Sequence, residues 1–224
     1  MASRVASMAR IILVTGGANS GKSKFAEDIC LGQPGRTNNI EDESKNKIVD
    51  DKRLDARDIG KNNKVLYIAT AKILDSEMAE KKKKHLDRRA SYGWDTLEAY
   101  RDFDRFFREQ SILDKAYDFI LFDCLTMMVT NILFNDNMDF DAGDKELRLE
   151  KERLVFREID KLLDLVEDQD LDLVFVTNEL GMGLIGDSSL SRYFLELASK
   201  LNRYIADRCQ AMYFVVSGQP IRVK

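Results

Sequence analysis

The residues best suited to chemistry begin with a glycine-rich stretch near the amino end of the chain, GGANSGKS. It matches the pattern G-x-x-x-x-G-K-[ST] at every fixed position, with an apolar strand pattern before it and a helical pattern after it. Glycines at this spacing let successive backbone N–H groups turn toward one anion, and the following helix N-terminus adds its dipole. The pattern predicts a nucleotide-phosphate loop formed by Gly16, Gly17, Ala18, Asn19, Ser20, Gly21, Lys22 and Ser23.

Three side chains extend this prediction to a metal ion. Lys22 is expected to reach the β- and γ-phosphates, and the Ser23 hydroxyl is expected to ligate Mg²⁺. Asp123 ends the apolar run FILFD, and a carboxylate at the tip of such a strand typically faces the metal of a bound nucleotide. The alternative is an aspartate that only caps the turn after the strand. The motif predicts nucleotide binding and does not by itself specify the reaction.

His85 is the only histidine of the chain and lies in the charged stretch EKKKKHLDRR. A histidine in such a stretch is commonly a surface residue beside a solvated lysine face. The surrounding cations would, however, lower the pKa of the imidazole and attract a triphosphate, which keeps the ring neutral and nucleophilic. A neutral imidazole can attack an α-phosphorus and carry the nucleotide as a phosphoramidate. The residues alone leave both interpretations open.

The composition limits the classes of protein that need to be considered. The chain has 224 residues, of which 44% are hydrophobic, and this suits one large α/β domain with a substantial core. The formal net charge of −4 at pH 7 is not that of an obvious nucleic-acid binder, so no nucleic-acid partner is expected. No apolar run approaches the ~18 residues of a membrane-spanning helix. The three cysteines are far apart, which favours a reducing, cytoplasmic location.

Alternating strand and helix patterns must position these residues. Apolar runs predict five strands, at 10–16, 64–70, 118–126, 172–181 and 211–218, with helical periodicity between several of them. This alternation predicts a mostly parallel central sheet flanked by helices.

We expect a single domain over residues 1–224, with a flexible leader at 1–9 and a polar insertion at 33–63. The polar segment 33–63 is too poor in apolar residues to offset the entropy of ordering. It is interpreted as a surface insertion, with a lid over the phosphate loop as the alternative.

Several segments in the same order resemble a known family. ILVTGGANSGKS, VLYIATAKILDSEM followed by His85, RRASYGWDTLE, ILFDCLTMMVTNILF, VFVTNELGMGLIG and VVSGQPIRVK are similar to segments of the bifunctional adenosylcobinamide kinase / adenosylcobinamide-phosphate guanylyltransferases of cobalamin biosynthesis. The glycine loop is generic, whereas VTNELGMG and the spacing from IAT through His85 to Trp94 are far more specific. The resemblance covers nearly everything except the leader, 33–63 and one middle helix.

The resemblance implies a RecA-like P-loop NTPase fold and a homotrimer. It implies phosphorylation of adenosylcobinamide with ATP or GTP, followed by GMP transfer from GTP through a covalent GMP–histidine on His85, giving adenosylcobinamide-GDP. By position, it also implies nucleotide contacts by Thr70, Ala71, Lys72, Leu86, Asp87, Arg88, Arg89, Glu98 and Asp123, while Asn178 and Glu179 stay unassigned.

Asn19 departs from the family pattern, because an arginine is usual there. The rival interpretations are a single-activity member of the family, either kinase or guanylyltransferase, and a regulatory P-loop NTPase that signals through a partner.

Overall fold

The computed structural model describes most of the chain. The described residues are 9–33, 63–72, 80, 83, 87, 89–134, 144–183 and 187–224. The predicted leader falls mainly on residues 1–8, and most of the predicted polar insertion falls on 34–62, so both predictions lie outside the described residues. None of the helices within the described ranges is long and apolar enough to cross a bilayer.

Strands and helices alternate along the described chain. In chain order they are β1 Ile11–Gly16, α1 Lys22–Cys30, β2 Val65–Ala69, β3 Asp95–Glu98, α2 Phe103–Glu109, β4 Phe119–Asp123, α3 Leu125–Phe134, α4 Lys145–Gln169, β5 Asp172–Asn178, α5 Ser189–Arg208, β6 Ala211–Val216 and β7 Gln219–Arg222. Two short 3₁₀ helices, Ala90–Tyr92 and Ile112–Lys115, precede β3 and β4.

The strands form one seven-stranded sheet in the order β3-β2-β4-β5-β1-β6-β7. The neighbours from β3 through to β6 pair in parallel, and β7 returns antiparallel against β6. The prediction of a mostly parallel α/β sheet flanked by helices is confirmed. Because parallel strands share a direction, the carboxyl ends of β1 to β5 lie along one edge of the sheet.

Both faces of the sheet are buried, which explains the continuous apolar runs of its central strands. In β1 the side chains alternate between two cores. Ile11 and Leu13 join the larger core, which is closed by α2, α3, α4 and α5, whereas Ile12 and Val14 join the core beneath α1. Phe25 of α1 packs in this second core.

The long helices begin where the side chains supply a cap. The Asp144 carboxylate accepts a hydrogen bond from the Leu147 N–H at 3.0 Å, and Ser188 Oγ accepts from the Ser191 N–H at 3.0 Å. Each bond satisfies a backbone donor that the first turn of a helix would otherwise leave without a partner.

All five predicted strands are present, each shorter than predicted, and the described residues contain two additional strands. The predicted run 118–126 was too long, because the strand ends at Asp123 and α3 begins at Leu125; the run 172–181 likewise ends at Asn178. The additional strands are β3 and β7. Both are short edge strands with few buried residues, so neither carries the apolar run on which a strand prediction depends.

The two described ends of the polar segment meet far from the glycine loop. Asn63 is buried, and its Nδ2 donates to the carbonyl of Cys30, the last residue of α1, at 2.8 Å. The glycine loop is at the other end of this helix, about 13 Å away at 1.5 Å per residue. The two ends of the segment therefore lie at the sheet edge opposite to the loop, and both interpretations of the segment, surface insertion and lid, stay predictions.

Candidate active site

The predicted site residues converge on the edge where the parallel strands end. In the sheet Ala69, the last residue of β2, pairs with Glu98 on one side and with Asp123 on the other. Gly16, the last residue of β1, pairs with Asn178 of β5. This edge is where open α/β sheets bind their ligands, because the loops after the strands diverge there.

The glycine loop has the conformation that its residue types predict. Gly21 has a φ of +93° and Asn19 a φ of +57°, and both lie in the left-handed region that glycine and asparagine tolerate best. A turn is closed by the Ser20 N–H, which donates to the Gly17 carbonyl at 3.3 Å. Asparagine at position 19 thus fits the backbone, whatever it costs the loop in charge.

The turn between β6 and β7 supports this loop from behind. The Gly218 N–H donates to the Ser20 carbonyl at 2.8 Å. A Cβ atom on Gly16 would come within 2.5 Å of the Val215 carbonyl oxygen, and one on Gly21 within 3.2 Å of the Gly218 Cα. This support was not predicted from the sequence. The Ser-Gly pair in VVSGQP, which is typical of a tight turn, could have indicated it.

Lys22 lies at the start of α1 with its side chain folded back over the loop. The residue is 8% exposed, and Nζ donates to the Gly17 carbonyl at 2.9 Å. Burial lowers the pKa of Lys22, while the thiol of Cys124 and the carboxylate of Asp123 oppose that shift. The ammonium therefore lies within electrostatic reach of Asp123, as a shared phosphate–metal site requires.

Asp123 is half-buried at the end of β4 and is oriented by a tyrosine of the neighbouring strand. Tyr67 Oη donates to Asp123 Oδ2 at 3.0 Å. Burial, followed by the charge of Asp123, raises the pKa of Tyr67 well above its usual value, so the phenol keeps its proton and acts as the donor. Within the described ranges, Tyr67 is the hydrogen-bond partner of this carboxylate.

The donor set fits Mg²⁺ bound together with a nucleotide. The described residues contain no group of three or more acidic, histidine or cysteine side chains that could hold a metal alone. Mg²⁺ characteristically binds through one or two protein ligands plus phosphates and water. Asp123 and the Ser23 hydroxyl, in the first turn of α1, are the residues that would hold it. This assignment stays a prediction.

Arg89 connects the same tyrosine to the helix of the glycine loop. Its guanidinium carbon lies 3.4 Å from the centroid of the Tyr67 ring, and Nε lies 3.9 Å from Oε1 of Glu27 on α1. Arg89 is 8% exposed and Glu27 is 1% exposed. The family resemblance implies a nucleotide contact for Arg89, and this contact stays a prediction. Its guanidinium is buried against Tyr67 and Glu27.

The remaining predicted contacts lie at the ends of β2 and β3. The Thr70 hydroxyl donates to the Cys124 carbonyl at 2.7 Å and accepts from the Cys124 N–H at 2.8 Å, so it joins the ends of β2 and β4. Lys72 Nζ lies 4.7 Å from the centroid of the Tyr100 ring. Exposed side chains are found at Ala71, Asp87 and Glu98. Their contacts with a nucleotide stay predictions.

A buried polar network holds the end of β5 beside the glycine loop. The Thr177 hydroxyl donates to Asn202 Oδ1 at 2.8 Å, and Asn202 Nδ2 donates to the Asn178 carbonyl at 3.1 Å. The Glu179 N–H donates to the Gly16 carbonyl at 3.1 Å. The VTNELG segment is therefore adjacent to the glycine loop. Asn178 and Glu179, which had no assigned role, lie beside this loop.

Three predicted residues lie outside the described part of the chain: His85, Leu86 and Arg88. The described residues nearest to His85 are Lys83 and Asp87, which are both helical and exposed. The covalent role of His85 stays a prediction.

Comparison with known proteins bears directly on the family resemblance. The sequence model of the family described as cobinamide kinase / cobinamide phosphate guanyltransferase matches residues 53–223. That match leaves out the glycine loop. Alignments with individual relatives cover more of the chain and include the loop.

Three relatives align over almost their whole length. The bifunctional adenosylcobalamin biosynthesis proteins CobU of Escherichia coli K12 and Salmonella typhimurium LT2 are 32% and 34% identical to this chain, and each alignment covers 96% of this chain and 99% of the relative. The corresponding protein CobP of Pseudomonas aeruginosa is 31% identical over 95% of this chain and 96% of its own length. The chain therefore belongs to the cobinamide kinase / cobinamide phosphate guanyltransferase family.

Proposed function

We propose that this chain phosphorylates the aminopropanol hydroxyl of adenosylcobinamide with ATP or GTP, and then transfers GMP from GTP to the new phosphate. Membership of the family supports the pair of reactions. The observation that carries the proposal for this chain is that the Lys22 side chain folds back over the glycine loop while Asp123 ends β4 at the same edge of the sheet. Lys22 would neutralise part of the charge of a triphosphate directly, and Asp123 would do so through the Mg²⁺ that it would hold.

In the kinase reaction the chain supplies mainly charge and position. Mg²⁺, when bound, would neutralise charge on the phosphate oxygens. Lys22 is placed to stabilise the transferring γ-phosphoryl group, and the backbone N–H groups of the loop are placed to hold the phosphates behind it. The Ser20 hydroxyl is buried in this loop without a partner among the described residues, so it is a further donor for a phosphate oxygen. The loose transition state of phosphoryl transfer needs no strong base.

In the guanylyl reaction His85 is the proposed nucleophile. A nitrogen lone pair of the neutral imidazole attacks the α-phosphorus of GTP, a P–N bond forms, and the bond to the β-phosphate oxygen breaks. Pyrophosphate leaves with that electron pair. In the second half of the reaction an oxygen of the substrate phosphate attacks the same phosphorus and releases the histidine. Arg88 is a candidate for stabilising the charge that develops on the α-phosphate.

We expect one GMP to be bound covalently per chain after incubation with GTP and Mg²⁺. The label should be retained from GTP radiolabelled at the α-phosphate and not from GTP labelled at the γ-phosphate. It should be lost in acid and kept in base, because a phosphoramidate of histidine has that stability. Tandem mass spectrometry should place the adduct on His85, and His85→Ala should abolish it.

Glu80→Gln provides the matched control for this experiment, because Glu80 is an exposed, described residue close to His85 in the chain. This variant should form the adduct at the normal rate. An adduct that survives acid, or one found on a residue other than His85, would refute the covalent role of the histidine while leaving the kinase assignment in place.

Separate assays of the two steps distinguish the rival functions. A single-activity family member would carry out one step and not the other. A regulatory NTPase would hydrolyse the nucleotide slowly and form no covalent GMP. The proposal also includes a homotrimer and a cytoplasmic location. Light scattering of the purified protein tests the homotrimer. The cytoplasmic location is supported by Cys30, Cys124 and Cys209, which are all free and buried.

A further inference from the structure

Tyr67, a buried residue of β2, makes contacts that no requirement of the sheet explains. Its side chain points into the space between the sheet and α1 and ends on Oδ2 of Asp123, 3.0 Å away. Tyr67 and Asp123 are on neighbouring strands, and Tyr67 pairs with Leu121, two residues before Asp123. A phenylalanine would fill the same apolar space. The hydroxyl therefore serves the hydrogen bond to the Asp123 carboxylate and is not needed for packing.

The ring of Tyr67 is held on its other side by a buried cation. The guanidinium carbon of Arg89 lies over the ring, 3.4 Å from its centroid. Arginine stacks on aromatic faces in this way because its planar cation is attracted by the negative ring face and is weakly hydrated. Glu27 on α1 lies 3.9 Å from Arg89 Nε, so the charge of the cation is opposed within the same buried cluster.

This cluster joins three parts of the proposed active site. Glu27 belongs to the helix that begins with Lys22, Asp123 is the proposed metal ligand, and Arg89 follows His85 by four residues. Carboxylates that ligate metals are commonly hydrogen-bonded by a further side chain, which orients them and tunes their affinity. Tyr67 stands in this relation to Asp123.

We propose that Tyr67 is a positioning residue that orients the Asp123 carboxylate toward Mg²⁺, and that Arg89 clamps the Tyr67 ring. The inference rests on the proposed metal role of Asp123. It predicts that the hydroxyl of Tyr67 matters for metal affinity and that the nucleotide itself binds normally without it.

The test compares the unaltered chain with Tyr67→Phe. It measures the affinity of each for Mn²⁺ by electron paramagnetic resonance, in the presence of a non-hydrolysable GTP analogue. Losses of about 10- to 100-fold in affinity are typical when such a supporting hydrogen bond is removed, and we expect a loss in that range. Affinity for the analogue without metal should not change. Kinase turnover of Tyr67→Phe should be low at limiting Mg²⁺ and should recover when the Mg²⁺ concentration is raised.

Tyr117→Phe is the matched control. Tyr117 Oη donates to Asp95 Oδ2 at 2.5 Å, so this variant also loses a tyrosine–aspartate hydrogen bond, but at the opposite edge of the sheet. Both variants should lower the unfolding temperature slightly and similarly. Only Tyr67→Phe should lower the affinity for Mn²⁺, because a merely structural hydroxyl would change stability in both cases and metal affinity in neither.

Asp123→Asn separates the two levels of the proposal. If Asp123→Asn and Tyr67→Phe both bind Mn²⁺ normally, the metal role of Asp123 fails and the positioning role fails with it. If Asp123→Asn loses Mn²⁺ while Tyr67→Phe binds it normally, the positioning role alone is refuted. Arg89→Lys keeps the charge and loses the planar stacking, so it should reduce Mn²⁺ affinity in the same direction as Tyr67→Phe; an unchanged affinity would refute the clamp.

Discussion

At the scale of single residues, Lys22 is unusual because its charged side chain is buried. Only 8% of the residue is exposed. A buried ammonium needs compensation, which the Gly17 carbonyl and the nearby charge of Asp123 supply. The same low exposure strengthens the attraction between Lys22 and a bound phosphate, because less water screens it.

We therefore expect Lys22→Ala to reduce kcat for adenosylcobinamide phosphorylation by about 10²-fold or more, the scale on which preorganised charge stabilises a transition state. Lys24→Ala is the control. Lys24 lies on the same helix, is half-exposed and pairs with Asp28 one turn further along the helix. Steady-state assays with ATP check both variants. Retained turnover in Lys22→Ala would contradict the role given to the loop.

At the scale of secondary-structure elements, the glycine loop depends on the hairpin of β6 and β7. The turn of that hairpin donates a hydrogen bond to Ser20, and the backbone of β6 passes so close to Gly16 that no side chain fits there. An element at the carboxyl end of the chain thus shapes the loop at the amino end.

Two neighbouring glycines test this packing. A Cβ atom on Gly16 would lie 2.5 Å from a backbone oxygen, which cannot move aside freely, whereas one on Gly17 meets nothing within 4 Å. Gly16→Ala should lower the free energy of unfolding by about 1–3 kcal/mol, the usual cost of overpacking. Gly17→Ala should change it by no more than about 0.5 kcal/mol. Urea denaturation of the two variants compares them, and equal stabilities would show that the hairpin does not constrain the loop.

At the scale of the whole molecule, the attachment points of the polar segment and the proposed active site are at opposite edges of the sheet. The insertion is attached beside Cys30 and Asn63, whereas the phosphate loop, Asp123 and the end of β5 lie where the strands end. The fold can accommodate this segment because the two residues to which it is attached are already close together.

Replacement of residues 34–62 by a short Gly/Ser linker should leave both activities within about twofold of the full chain. It should leave the unfolding temperature equal or slightly higher, because a shorter loop costs less entropy to close. Differential scanning calorimetry and the two activity assays check this, with Asn63 retained in the shortened chain. Loss of either activity in a folded, shortened chain would favour the lid interpretation.

Prediction from sequence succeeded where the determining interactions are local. The loop between Gly16 and Ser23 depends on glycines that tolerate unusual backbone angles, and the central strands depend on unbroken apolar runs. It failed for β3 and β7, because short edge strands bury too little to leave a pattern. The nucleotide contact of Arg89 stays a prediction, and the structure adds that its guanidinium lies over the Tyr67 ring.

The glycine loop, the alternating strands and helices, and the family of the chain could all be predicted from residue types, since each depends on patterns along the chain. The long-range contacts are evident only in the folded protein: the Tyr67 hydroxyl meets Asp123, 56 positions further along the chain, Arg89 lies over the Tyr67 ring, and the Gly218 turn supports the loop. These contacts join distant segments. Their partners are chosen by strand order and register, which a local pattern does not encode.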